Sequence, residues 1–280
     1  MADVRLIIDP PSPGPWNMAV DDALLGDAIE NGHATLRFYQ WSEPTLSLGY
    51  FQRYADRGLH AASRASAIVR RQSGGGAILH DRELTYSLVL PPGHSLAART
   101  PQLYASVHQA FIAALSKHDS NNPSGHAPLN ELRIRGDEAR SSTDPKAAAD
   151  EPFLCFQRRS PGDVVLVAAS HERPSITDTS KPLPVTEKIL GSAQRRHRGA
   201  ILQHGSLLIE TSPAAPELPG LQDLAAGKIR VDSLIPAVCD ELARSLNFRF
   251  APYELSSELQ SKAADLANNK YGAASWTNRR

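Results

Sequence analysis

The run Arg70-Arg71-Gln72-Ser73-Gly74-Gly75-Gly76 constrains this chain more than any other segment, because of what stands on either side of it. SAIVRR before it and ELTYSLVL after it have the β-branched and apolar composition of strands, and Pro91-Pro92 end the second. Glycines placed between two strands do not form the strand-to-helix turn of a dinucleotide-binding unit. The rest of the pattern agrees. TLRFYQW and TLSLGYF, split by Ser42-Glu43-Pro44, read as a hairpin. NMAVDDALLGDAIENG puts Val20, Leu24 and Ala28 on one helical face, with Asn17 as a cap and Gly32 just past the end. From Pro101, a second helix places Leu103, Val107, Phe111 and Leu115 at four-residue steps. DVVLVA, KILGSAQ and AILQHGSLLIE read as further strands, and amphipathic helices follow near 233–246 and 254–267. Hairpins and isolated helices without regular strand-helix alternation predict an α+β fold of mixed or antiparallel sheets flanked by helices.

At 280 residues and 41% apolar content the chain can bury a large core, and we read 1–280 as a single catalytic domain closed by the helices of 233–267. Residues 118–151 and 171–184, rich in Ser, Asp, Pro and charge without periodicity, read as surface excursions. Lys plus Arg and Asp plus Glu each total 30, so no global field favours nucleic acid or an anionic membrane. No apolar run approaches the roughly 20 residues of a membrane span, and the first residues lack a secretory pattern. A cytoplasmic protein is expected. Two cysteines are too few for a disulfide framework, and no His-Glu-x-x-His spacing occurs, so no metal is expected.

Several groups could do chemistry. The amides of Gly74, Gly75 and Gly76 can line a ligand, and Arg70, Arg71 and Ser73 could add contacts to a phosphate or carboxylate. A flexible turn explains the same glycines. His80, four residues on, could touch a ligand held there or be structural. Cys155, in Phe153-Leu154-Cys155-Phe156, stands at a loop-strand junction where a thiolate could attack a thioester; a buried structural thiol is the bland alternative. Cys239 differs, because Ile235, Cys239, Leu242 and Leu246 share one helix stripe and mark it as core. Lys188 precedes the small residues Gly191, Ser192 and Ala193; it could pair with a thiolate or exchange protons, or simply be solvated at a strand end. Arg195, Arg196, His197 and Arg198 form the one dense basic run, suited to a phosphate-bearing arm, an acidic protein or a solvated turn. His204-Gly205 interrupts an apolar strand, as a site-lining position or a bulge would.

Together these segments resemble the superfamily of lipoate-protein ligase A and the octanoyltransferases, related in fold to biotin protein ligases. The resemblance covers NMAVDDALL, LRFYQWSEPTLSLGYFQ, RRQSGGGAILHDRELTYSLVL, LCF, KILGSAQRRHRGAILQHGSLL and KYGAASW. It implies an acyl pocket at Gly74 to Gly76 and at Lys188 to Ala193. Cys155 matches the nucleophile position of the LipM-type octanoyltransferases, and the short stretch after GSLLIE leaves little room for the accessory domain of many ligases. The implied reaction moves octanoyl from acyl carrier protein to Cys155, then to a lysine of a glycine cleavage H protein or dehydrogenase E2 lipoyl domain. Lys188 would assist and no cofactor would be needed. The alternatives are a ligase using ATP and Mg2+ with a structural Cys155, an amidotransferase taking octanoyl from another protein, and a non-catalytic lipoyl- or biotinyl-binding module. Neither excursion has a clear counterpart in the resemblance, and the one between DVVLVA and Lys188 is longer than the short hairpin it leads one to expect.

Overall fold

The computed structural model describes residues 1–119, 132–136, 152–168, 185–225 and 229–280. Its eleven strands are β1 (Ala2–Ile8), β2 (Ala34–Tyr39), β3 (Thr45–Leu48), β4 (Ala67–Arg70), β5 (Ile78–His80), β6 (Glu83–Leu90), β7 (Leu132–Ile134), β8 (Val164–Ala168), β9 (Val185–His197), β10 (Ala200–Leu208) and β11 (Phe248–Pro252). They form an eight-stranded sheet of order β11-β1-β2-β6-β10-β9-β8-β7 and a three-stranded sheet of order β4-β3-β5. β1 pairs in parallel with both neighbours, β11 and β2, while the six strands from β2 to β7 pair antiparallel. The expected α+β architecture is what forms.

Alternation along β2 sorts the core. Leu36 and Phe38 face a cluster with Leu103, Val107, Phe111 and Leu115 of α2 (Thr100–Asp119) and with Leu234, Val238 and Leu242 of α4 (Val231–Leu246). Tyr39 faces the opposite cluster, with Val20, Leu24 and Ala28 of α1 (Gly14–Asn31) and Leu259 of α5 (Ser257–Leu266). The four α2 residues at four-residue spacing are completely buried. Each such burial stabilises the fold by about 1.5–3 kcal/mol. A third cluster lies under the small sheet, where Leu46, Leu48 and Leu79 meet Leu154 and Phe156. Short helices α3 (Leu221–Ala225) and α6 (Ala274–Thr277) complete the described structure, in which no helix is long and apolar enough to cross a membrane.

Three expectations change, and one strand is added. TLRFYQW and TLSLGYF do not pair as a hairpin: β2 is buried along its whole length between β1 and β6, so neither edge is open, and β3 turns away to build the second sheet. Asn17 does not cap α1, which starts earlier behind Pro13; its side chain instead donates to the Ser12 and Gln40 carbonyls. The span 118–151 is not wholly an excursion, since it contains β7, the edge strand that pairs with β8. β11 separates the two C-terminal helices and lies parallel to β1. Residues 120–131, 137–151 and the whole of 171–184 lie outside the described residues.

Candidate active site

Cys155 opens a single 3-10 turn, Cys155–Gln157, whose flanking Leu154 and Phe156 are buried in the third cluster. The turn is tied to the end of the glycine run: Cys155 N–H donates to the Ala77 carbonyl at 2.7 Å, and Ala77 N–H donates to Phe153 O at 3.1 Å. The half-exposed Cys155 borders a pocket that opens to solvent.

Lys188 comes to the same place from β9. A register shift between β8 and β9 adds a residue opposite Val164 and Val165. Positions three apart on a strand normally face opposite ways, and one extra residue puts Lys188 and Gly191 on the same side. The Lys188 side chain then lies over Gly191, where a Cβ would overlap Cε and come within 2.7 Å of Nζ. Its ammonium donates to the Cys155 carbonyl at 3.4 Å and to the sulfur at 3.6 Å, and it pairs with Asp163 Oδ2 at 3.0 Å. Lys188 is 4% exposed and Asp163 2%, so this ion pair is almost completely removed from water. Asp163 is itself held by the Ser160 N–H at 2.7 Å and the Tyr104 hydroxyl at 3.3 Å.

Arg71 shapes the glycine run. Its buried guanidinium donates to the carbonyls of Gly74 and Gly76 at 2.8 and 2.6 Å and to Ser47. Burial lowers its pKa to about 10. Gly74 and Gly75 form one wall of the pocket; Gly191, Ser192 and Ala193 form another; His204, Gly205 and Ser206 lie between, over Met18 and Tyr39.

Two histidines facing the pocket are each held through both ring nitrogens. His80 stacks on Trp41 at 3.9 Å, bonds Glu83 at 2.7 Å through Nδ1 and bonds Ser47 at 2.8 Å through Nε2. Burial lowers its pKa despite Glu83. His204 joins Ser73 at 2.5 Å to Asp21 at 3.4 Å. Burial alone would raise the Asp21 carboxyl, but the His204 hydrogen bond and the Arg37 charge hold it below the usual range. Behind Ser192 stands a third, His108: Nδ1 donates to the Gly162 carbonyl at 2.7 Å and Nε2 accepts from the Ser192 hydroxyl at 2.6 Å. Burial lowers the His108 pKa to about 4.

The catalytic-domain profile of lipoyl protein ligases A and B matches residues 13–218. The chain belongs to that family. It is 30% identical to the octanoyltransferase LipM of Kyrpidia tusciae, over 95% of this chain and 94% of that protein. It is 29% identical to the octanoyltransferase LipM of Bacillus anthracis, over 93% and 92%. In fold it resembles the bi-partite lipoate protein ligase of Thermoplasma acidophilum, with a TM-score of 0.64 at 17% identity over 99% of this chain and 97% of that one.

Of the residues singled out in the family's motifs, Cys155 and Lys188 meet, and Arg71, Gly74, Gly75, His80, Gly191, Ser192, Ala193, His204 and Gly205 surround the same pocket. Ser73 and Gly76 support it from behind, one through His204 and the other through Arg71. Arg70 does not reach it. Its guanidinium points the other way and clamps the carbonyls of Gly49, Gln52 and Thr277, because those chain turns leave their oxygens without ladder partners. Sequence reading missed Asp163, Tyr104 and His108. The acid that opens DVVLVA was the available signal for Asp163, whereas Tyr104 and His108 sit on α2 at positions that look merely polar. Among the described residues no cluster of His, Cys, Asp and Glu is arranged to hold a metal ion.

Proposed function

We propose that this chain is an octanoyltransferase of protein lipoylation that works through a Cys155 acyl-enzyme. The observation that carries the reading is the Lys188 ammonium 3.6 Å from the Cys155 sulfur at the rim of the pocket. Cys155 reacts as its thiolate beside the Lys188 ammonium. The sulfur attacks the thioester carbonyl of octanoyl acyl carrier protein, the tetrahedral intermediate collapses, and the carrier thiolate leaves with a proton from Lys188. In the second half, the neutral ε-amine of the acceptor's lysine attacks the acyl-enzyme. Its proton goes to Lys188, and the Cys155 thiolate departs, restoring the pair. Asp163 keeps the lysine aimed at the sulfur throughout.

The acceptor is a lipoyl-accepting protein, a glycine cleavage H protein or a dehydrogenase lipoyl domain. The chemistry needs neither ATP nor Mg2+, because the thioester is already activated. A reducing compartment keeps a free thiol such as Cys155 reduced, which fits the cytoplasm.

Intact-mass spectrometry tests this directly. Mixing with octanoyl acyl carrier protein should leave one octanoyl group on the wild type and none on Cys155→Ala. An apo lipoyl domain added without ATP should discharge it. Absence of an adduct, with acceptor modification that requires lipoate and ATP, would replace this reading with a ligase.

A further inference from the structure

Tyr50, just after β3, gathers positive charge on the outer side of the glycine run. Its ring has Arg279 at 4.5 Å, Arg280 at 5.6 Å and Arg195 at 5.7 Å. Arg279 also donates to the Tyr50 hydroxyl and lies over Trp276 at 4.6 Å, and Arg280 lies over Phe51 at 5.2 Å. The three arginines come from two distant parts of the chain, and among the described residues none of them forms an ion pair. Arg195 further holds a buried Nε with no hydrogen-bond acceptor. Arg70 lies close enough that burial and the charges of Arg279 and Arg280 lower its pKa. Like charges held together on aromatic faces, with no acidic side chain paired to them among the described residues, are complementary to an anionic partner.

Phe51 tells what kind. Its ring is 69% exposed in the middle of this charge, T-shaped on Tyr50 at 5.0 Å. A Cβ at Gly74, on the wall of the pocket, would stand 3.9 Å from it. An exposed aromatic centre with a charged rim has the make-up of a protein interface, and cations spread around a ring suit several carboxylates better than one compact anion. The glycine run connects the patch to Cys155: Gly74 stands against Phe51, and Ala77 at its end bonds Cys155. A protein offering its own lysine must sit directly over the sulfur, whereas a carrier delivers its acyl group at the end of a long arm and can stand off to the side.

We infer that Phe51, Arg195, Arg279 and Arg280 dock the acidic face of the carrier protein that brings the acyl thioester, with its arm crossing Gly74 into the pocket. The inference rests on the transferase reading above. The test compares acylation of Cys155 by octanoyl acyl carrier protein with acylation by octanoyl N-acetylcysteamine, which has the thioester but no protein. Arg279→Glu, Arg280→Glu and Phe51→Ser, all at exposed positions, should lower kcat/KM for the carrier at least tenfold more than for the small thioester. The two charge reversals should also flatten the salt dependence of the carrier reaction. Equal losses on both donors, or a rise in KM for the acceptor protein in place of the donor, would overturn the assignment. A wild type that neither thioester acylates would fail before any variant is made; that result would remove the transferase reading and this one with it.

Discussion

The two cysteines occupy regions of opposite character. Cys239 lies in the seam between α2 and α4, buried among leucines, and burial pushes its thiol up to about 12. Cys155 lies half-exposed on a 3-10 turn with an ammonium at 3.6 Å. The same side chain is packing material in one place and, in the function proposed above, a nucleophile in the other, and what separates them is the backbone that delivers the sulfur. A helix stripe leaves a side chain no choice of environment. A turn stitched to a glycine run holds the sulfur at the edge of a pocket. The strongest way to break this comparison is to remove each thiol in turn. Cys155→Ala should lower transfer to an apo lipoyl domain on the order of 10^4-fold or more, as removal of a covalent nucleophile does in other enzymes. Cys239→Ala should leave kcat/KM within about twofold, since core substitutions away from a site act on stability. Loss of transfer in Cys239→Ala alone would invert the assignment.

The next effect belongs to the groups around Cys155. Lys188→Met keeps the stem and removes the proton carrier, and should cost about 10^3-fold in kcat, within the range for a general acid-base group. Asp163→Asn should cost less, because the lysine keeps its Cys155 contacts and loses only the partner at 3.0 Å. Single-turnover mass spectrometry separates the two half-reactions, and both variants should slow each of them. A Lys188→Met enzyme acylated at the wild-type rate would show that the ammonium acts only in discharge.

How much of this was legible in the sequence follows from range. Leu103, Val107, Phe111 and Leu115 announced α2, because helix periodicity is local. The segments that line the pocket were readable as motifs for the same reason. The β2-β3 hairpin was misread because pairing is decided by which strand edges remain open, and β1 and β6 had already taken both edges of β2. Arg70 and Arg71 are neighbours of identical chemistry. One faces the glycine run and the other faces away, and only the alternation of β4 in its sheet separates them. Asp163 and His108 act on residues 25 and 84 positions away, distances at which spacing carries no signal.

Protonation should sharpen the contrast at a smaller scale. His108 is wholly buried behind Ser192 with a pKa near 4 in the folded chain, against 6.5 as its ordinary value. Between these values the unfolded chain takes up a proton that the folded one refuses. The contribution of His108 is therefore complete above pH 6.5, falls as pH drops toward 4, and totals at most about 3 kcal/mol. The Cys239 seam has no such dependence at these pH values, since its thiol stays protonated throughout. Urea unfolding at pH 7 and pH 4.5 should show the wild type losing more stability than His108→Gln. An equal loss in both would mean that the proton is taken up elsewhere, with His80, also lowered by burial, the first place to look.

The smallest effect lies in the seam itself. Cys239→Ala removes one buried sulfur without leaving a polar group unpaired, and should destabilise by about 1 kcal/mol, comparable to the loss of a single buried methyl. The same sulfur supplies a readout of opening. With the wild type folded, an alkylating reagent at pH 8 should modify Cys155 and spare Cys239, since Cys155 borders the pocket whereas burial both shields Cys239 and keeps its thiol protonated. Raising urea through the unfolding transition should then expose Cys239 to the reagent in step with loss of the α2–α4 packing. If Cys239 reacts well before that transition, α4 opens independently of the sheet, and the two regions differ in local stability as well as in chemistry.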